Sequence, residues 1–189
     1  LAALNRQGAK GLTGVSNNAG TVDEHVDIGT LVEAGQMKKM ICAFTASTHP
    51  SQVTPFTRMY NNDEIDAELV PQGTLAERLR SAAAGIGGFY TPTSVGTELA
   101  EGKEHREING RMHVLEFPLP GDYALIRAWK ADKAGNLVFR LTQRNFNPLM
   151  AMAATVTIVE VENDIVEAGE LDPDAIHVPG IYVARLVRI

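Results

Sequence analysis

The chain has 189 residues, of which 44% are hydrophobic and 21% charged, with a formal net charge of −6. That is the balance of an ordinary globular protein, enough for one domain with a full core over 1–189. The negative charge disfavours a nucleic-acid surface or a polyphosphate cradle, and no apolar stretch approaches the roughly 20 residues of a membrane helix.

Taken in chain order, Leu1 to Gln7 reads as the last turns of a helix that Gly8 ends, so the pattern implies further residues before Leu1. Strands are expected over 12–16, 39–44, 67–70, 88–90, 123–128 and 154–161. A short helix is expected over 28–34, with Gly35 as its stop. The segment 49–62, with His49-Pro50 and Thr54-Pro55, reads as an extended loop. A longer helix is expected over 74–84, with Thr74 and Glu77 at capping-box spacing and Gly85 as its end. Asn109-Gly110 lies between two strand-like runs and predicts a type I′ hairpin near 105–115. Asn147-Pro148 reads as a cap and first position of another helix. Strands alternating with helices imply an α/β fold, an open, mostly parallel sheet with helices on both faces.

Ligands of such sheets sit beyond the carboxyl ends of the strands. Two polar stretches are expected there: Ser16-Asn17-Asn18-Ala19-Gly20, and Pro71-Gln72-Gly73-Thr74 at a helix start. Both offer carboxamides and backbone N–H groups, which are donors suited to a small carboxylate. The same residues also serve as turn formers and helix caps. The other chemistry-bearing residues give less. His25, His49, His105, His113 and His177 lack metal-ligand spacing, so no metal site is expected. No GxSxG elbow occurs. Gly85-Ile86-Gly87-Gly88 follows a helix instead of preceding one, which makes it a turn. The lone Cys42 lies in an apolar strand and reads as core, with no disulfide partner, as suits a reducing cytoplasm. Nothing around Glu33, Glu98, Glu101, Glu116, Glu167 or Glu170 singles out a desolvated or paired carboxylate.

Several strings then occur in a particular order. They are Ser16-Asn17-Asn18-Ala19-Gly20, Val70-Pro71-Gln72-Gly73-Thr74, Tyr90-Thr91-Pro92-Thr93, Ala100-Glu101-Gly102-Lys103-Glu104, Ala134-Gly135-Asn136-Leu137, Arg144-Asn145-Phe146-Asn147-Pro148 and Pro179-Gly180-Ile181-Tyr182-Val183. In this register the chain resembles the A (alpha) subunit of the 3-oxoacid CoA-transferases, which act on succinyl-CoA, acetoacetate, 3-oxoadipate and related acids. The resemblance implies a ping-pong exchange through a glutamyl-CoA thioester, with coenzyme A as substrate and no resident cofactor. It also implies a B (beta) subunit, in a heterodimer or heterotetramer, that carries the nucleophilic glutamate. No Glu-Asn-Gly string of that kind occurs here, so no catalytic nucleophile is expected on this chain. What the resemblance assigns to it is substrate binding by Asn17, Asn18, Gln72 and Gly73. Against the family pattern, a first strand and glycine-rich turn are missing before Leu1. Ser94 also replaces a usual glycine, which a serine can do where φ is negative. The 49–62 loop is longer than the family's and bears on acyl-group choice. A different reading of the open α/β pattern, a stand-alone sugar-phosphate isomerase or ligand-sensing domain, would call for a basic glycine-rich phosphate cradle, which the sequence lacks.

Overall fold

The structure, a computed structural model, describes residues 1–21, 26–46 and 51–189. Its helices are α1 (Ala2–Gln7), α2 (Ile28–Glu33), α3 (Pro55–Asn61), α4 (Gln72–Ala84) and α5 (Phe146–Ala153). The strands begin with β1 (Leu12–Val15), β2 (Met37–Cys42), β3 (Asp66–Leu69), β4 (Phe89–Thr91), β5 (His105–Ile108) and β6 (Arg111–Glu116). They continue with β7 (Gly121–Ala128), β8 (Lys130–Asp132), β9 (Leu137–Val138), β10 (Ala154–Val161), β11 (Ile165–Val166) and β12 (Arg185–Arg188). The chain divides into two compact units, Leu1–Leu75 with Thr93–Glu101, and Ala76–Pro92 with Gly102–Ile189.

In the first unit β1, β2 and β3 form a parallel sheet in that order. Its core gathers Leu31, Val32, Met40, Cys42 and Phe56, all essentially excluded from solvent. The buried apolar area supplies the main stabilisation, at about 25 cal/mol per Å². Gly8 ends α1 in the left-handed conformation at φ 77°, and Gly35 does the same after α2 at φ 64°. Asp27 caps α2 by accepting from the Gly29 N–H at 2.7 Å.

The second unit holds a parallel sheet in the order β12-β10-β7, with β10 paired to β7 from Ala154↔Gly121 through Val161↔Ala128. A small mixed sheet, β11-β8-β9, and an antiparallel sheet, β4-β6-β5, complete it. The α/β class, the parallel pairing and the hairpin are as expected. Asn109 (φ 51°) and Gly110 (φ 74°) take the two positive φ values that a type I′ turn demands. The parallel pairing is divided between two sheets.

Several local expectations need correction. The helix expected from Thr74 begins two residues earlier, because Pro71 supplies the first accepting carbonyl to the Leu75 N–H at 2.9 Å. Thr74 therefore lies within the first turn, and its buried hydroxyl has no hydrogen-bond partner among the described residues. Glu77, freed from a capping role, pairs with Arg80 at 2.7 Å. Asn147 is likewise inside α5. Its side chain accepts from the Arg127 N–H at 3.2 Å and donates to the Gln143 carbonyl at 3.0 Å, tying the helix start to β7. Pro148 is the third helical residue, where its missing N–H still costs nothing. The segment expected as a loop contains α3: Thr54 accepts from the Thr57 N–H at 3.1 Å, Pro55 opens the helix and Phe56 is fully buried. His49 and Pro50, the start of that expected loop, lie outside the described residues. Ser94 has φ 74°, the left-handed region that a side chain resists, and its hydroxyl is buried without a partner among the described residues. The condition of a negative φ is not met.

A buried carboxylate organises the turn after β8. Asp132 is 1% exposed and accepts from the Asn136 backbone and side-chain N–H groups, each at 2.9 Å. Asn136 in turn accepts from the Gly180 N–H at 2.9 Å. A Cβ at position 180 would stand 2.0 Å from the Ala134 carbonyl oxygen, so only glycine fits that approach. Burial pushes the Asp132 carboxyl up, but the N–H groups of Asn136, Gly169 and Ala134 outweigh it and hold it below the usual aspartate range. This network is therefore at full strength above the ordinary value of about 3.9, and is lost as the pH falls below that value and through the lower folded one. Asp132→Ala should lower the unfolding free energy at neutral pH by about 2–3 kcal/mol. In urea melts the gap to the wild type should narrow at strongly acid pH; a gap that stays constant would deny the carboxylate this role.

Candidate functional site

Three parallel strands, β1, β2 and β3, share one carboxyl edge, and the residues that follow them converge there. After β1, the Ser16 N–H donates to Ile41 at 3.1 Å and the Asn17 carbonyl accepts from Ala43 at 3.0 Å, so the turn stays aligned with β2 beyond the strand's end. After β3, the Val70 N–H donates to Cys42 at 2.9 Å, and Pro71 then starts α4. Gln72 and Gly73 occupy the exposed first positions of that helix.

Across this edge the Gln72 Nε2 donates to the Asn17 Oδ1 at 3.1 Å. The sequence separation is 55 residues, so the contact is a product of the fold. The Asn17 amide N–H groups and the Gln72 carbonyl oxygen have no other partner among the described residues. Gly73 follows directly, and a Cβ there would meet nothing within 4 Å. Asn18 behaves differently. Its Oδ1 accepts from the Gly20 N–H at 3.4 Å within its own turn, and the structure gives it no contact with Gln72. Gly20 is fixed by close packing, since a Cβ there would stand 2.5 Å from the Gly29 Cα. The edge thus presents paired carboxamides and the N–H groups of a helix start. These can hold and orient a carboxylate, and none of them is a nucleophile.

Cys42 is fully buried, donates to the Phe44 carbonyl at 3.3 Å and has its thiol pushed up by burial, in keeping with a core role. His105 and His113 lie on the paired hairpin strands, and each ring contacts a backbone carbonyl of its own strand region. His177 accepts the Phe139 N–H through Nδ1 at 3.2 Å, and burial, with Arg144 nearby, pushes its pKa down. His25 lies outside the described residues. No group of three or more metal-ligating side chains occurs among the described residues, and no helix there is long and apolar enough to cross a membrane.

One carboxylate departs from the sequence reading. The Glu116 side chain is 4% exposed and meets the Lys103 Nζ at 2.6 Å. The signal was present in β6, where Val114 and Glu116 share a face by strand alternation and Val114 is core. Of the other glutamates, Glu33 pairs with Arg58 at 3.3 Å, Glu167 pairs with Lys133, and Glu98 and Glu101 are exposed.

Comparison with known proteins gives this geometry a context. The chain matches the family described as Coenzyme A transferase over residues 1–188. It is 51% identical to the A subunit of the succinyl-CoA:3-ketoacid coenzyme A transferase of Helicobacter pylori strain J99, over 97% of this chain and 75% of that protein. It is 50% identical to the A subunit of the 3-oxoadipate CoA-transferase of Pseudomonas putida, over 96% of this chain and 76% of that protein. The glutaconate coenzyme A-transferase of Acidaminococcus fermentans shares the fold, with a TM-score of 0.80 at 22% identity over 97% of this chain and 64% of that one. The chain belongs to the coenzyme A transferase family, as the ordered motifs led one to expect.

Removing Lys103 would strand a buried charge. A fully buried pair broken in this way loses about 3–5 kcal/mol; Lys103 is 31% exposed, which reduces the expected loss for Lys103→Met to about 2–4 kcal/mol. Adding Glu116→Gln to that variant should recover much of the loss. A double-mutant cycle by chemical denaturation measures this, and strict additivity would show that the two groups are not coupled.

Proposed function

We propose that the chain is the A (alpha) subunit of a two-subunit CoA-transferase that moves CoA from an acyl-CoA donor such as succinyl-CoA to a 3-oxoacid or other short-chain acid. The observation that carries the site is the Gln72–Asn17 carboxamide pair at the carboxyl edge of a parallel sheet. Relatives about half identical in sequence, named as the A subunits of such enzymes, support the reaction class. In this reading Asn17, Gln72 and Gly73 orient the acid, and Asn18 shapes the turn that carries Asn17. A glutamate of the partner chain attacks the donor thioester and expels CoA thiolate, leaving a mixed anhydride. The thiolate attacks the glutamyl carbonyl and releases the donor acid. The resulting glutamyl-CoA thioester passes CoA to the acceptor by the same two steps in reverse, which restores the glutamate. This chain supplies hydrogen bonds to the carboxylate and to the oxyanion that develops during attack. Coenzyme A enters as substrate, no resident cofactor is required, and the lone reduced cysteine suits a cytoplasmic setting. An isomerase or sensor reading has no comparable support, since the sequence lacks the basic glycine-rich cradle that it calls for.

Gln72→Ala in the co-expressed complex should raise KM for the acid about 10- to 100-fold, the worth of one hydrogen bond to a charged group. Assembly of the complex should be unaffected, and unchanged kinetics would remove Gln72 from the site. Intact-mass analysis of this chain mixed alone with an acyl-CoA should show no adduct. A CoA thioester on one of its glutamates would move the nucleophile to this chain.

A further inference from the structure

The central strand of the first sheet, β2, ends at Cys42, and the Asn17–Gln72 contact joins the segments that follow the strands on either side of it. The segment leaving β2 therefore emerges between the turns that carry the two carboxamides. Its second residue, Phe44, keeps 46% of its surface exposed. The backbone around that ring is held firmly. The Ala43 N–H donates to the Asn17 carbonyl at 3.0 Å, and the Cys42 Sγ donates to the Phe44 carbonyl at 3.3 Å. The Thr57 hydroxyl donates to the Thr45 carbonyl. The ring is thus exposed in a fixed place, directly after the residue that is bonded to the Asn17 turn.

A lone exposed aromatic on a protein surface calls for no explanation. The setting of this one does. The described residues that leave the three strands, 16–21, 43–46 and 70–74, carry no charged side chain. Phe44 is the only large apolar side chain among them that is exposed. The edge therefore offers two kinds of surface side by side, hydrogen-bonding groups at Asn17 and Gln72 and an aromatic face at Phe44. A short organic acid is divided in the same way. Its carboxylate must keep its hydrogen bonds, while its uncharged carbons gain by leaving water.

We infer that Phe44 is a specificity-determining residue of the acid site, against which the uncharged carbons next to the carboxylate pack. The acids it favours carry an aliphatic or 3-oxo chain beyond the carboxyl carbon, and its contribution grows with each methylene it covers. The carboxamides meet the carboxylate that all acids share, so they set affinity in general while Phe44 sets the choice of chain. The inference rests on the reading of this edge as the acid site. A partner subunit covering the ring is the rival occupant.

The test uses this chain co-expressed with a partner chain of the beta type. Dissociation constants of acetate, propionate and butyrate are measured by NMR titration of the complex, with CoA transfer and subunit association followed in parallel. In the wild type each added methylene should tighten binding about 3- to 4-fold, the worth of one buried methylene. In Phe44→Ala that gain should fall below about 1.5-fold per methylene, with acetate binding within about twofold of wild type. Phe44→Leu should restore most of the gain. Gln72→Ala should weaken all three acids by a similar factor and leave the gain per methylene intact. An unchanged gain in Phe44→Ala overturns the proposal, as does a wild type that binds the three acids alike or not at all. Equal weakening of all three acids by Phe44→Ala also overturns it, since the ring would then only support the edge. So does a loss of subunit association in Phe44→Ala with acid binding preserved, which would give the ring to the partner. A wild type that shows the expected series but transfers no CoA upholds the role of Phe44 and defeats the transferase reading instead.

Discussion

Parallel pairing of β1, β2 and β3 is the constraint from which the candidate site follows. Parallel strands deliver all their carboxyl ends to one edge, whatever loops and helices lie between them. Neighbouring strands are about 4.8 Å apart, so β1 and β3 are separated by roughly twice that distance with β2 between them. The Asn17 and Gln72 side chains close this gap over the end of β2. Each is too short to span it alone. Their bond therefore depends on both turns holding their register, which the backbone bonds from Ser16, Ala43 and Val70 secure.

The second unit solves a different problem with the same economy of polar groups. Its sheet core is apolar, but the connection from β8 to β9 turns sharply and passes under the chain at Gly180. Backbone groups in such a crossing must find partners, since burying them unpaired costs about 1–3 kcal/mol each. Asp132 and Asn136 supply those partners from within the turn and, through Gly180, extend the network to the chain's last segment. Lys103 and Glu116 do comparable work beside the antiparallel sheet, where a buried carboxylate is tolerated because an ammonium meets it at 2.6 Å.

What could be read from the residues alone varied with the kind of signal. The strands that were expected came out within a residue or two because β-branched and apolar runs announce themselves, whereas the short β8, β9 and β11 and the four-residue β12 were not foreseen. The Asn109-Gly110 hairpin was legible because few dipeptides accept two positive φ values. Helix starts were misplaced where Thr74 and Asn147 looked like caps, since a capping side chain and a side chain inside the first turn leave the same trace in sequence. The helix at Pro55 was hidden by prolines that suggested a loop, although Thr54-Pro55 is also a cap followed by a first helical position. Asn17 and Gln72 were legible as polar residues at strand ends, whereas their contact over 55 residues required the fold. The burial of Glu116 was recoverable only by counting alternate residues along β6, and the positive φ of Ser94 and Leu141 left no local mark at all.

The carboxamide pair also has a bearing on how long an acid would stay. A guanidinium would grip a carboxylate with two charge-assisted bonds, and the ligand would then leave slowly. Neutral amides offer weaker, orientation-dependent bonds that form and break with little cost in reorganised charge. In the proposed exchange, a donor acid must vacate the same place that an acceptor acid then fills, so a tightly held product would stall every second half-cycle. In that proposed role, a site lined by Asn17 and Gln72 would trade residence time for turnover, and competing acids would sort themselves there by concentration as much as by affinity.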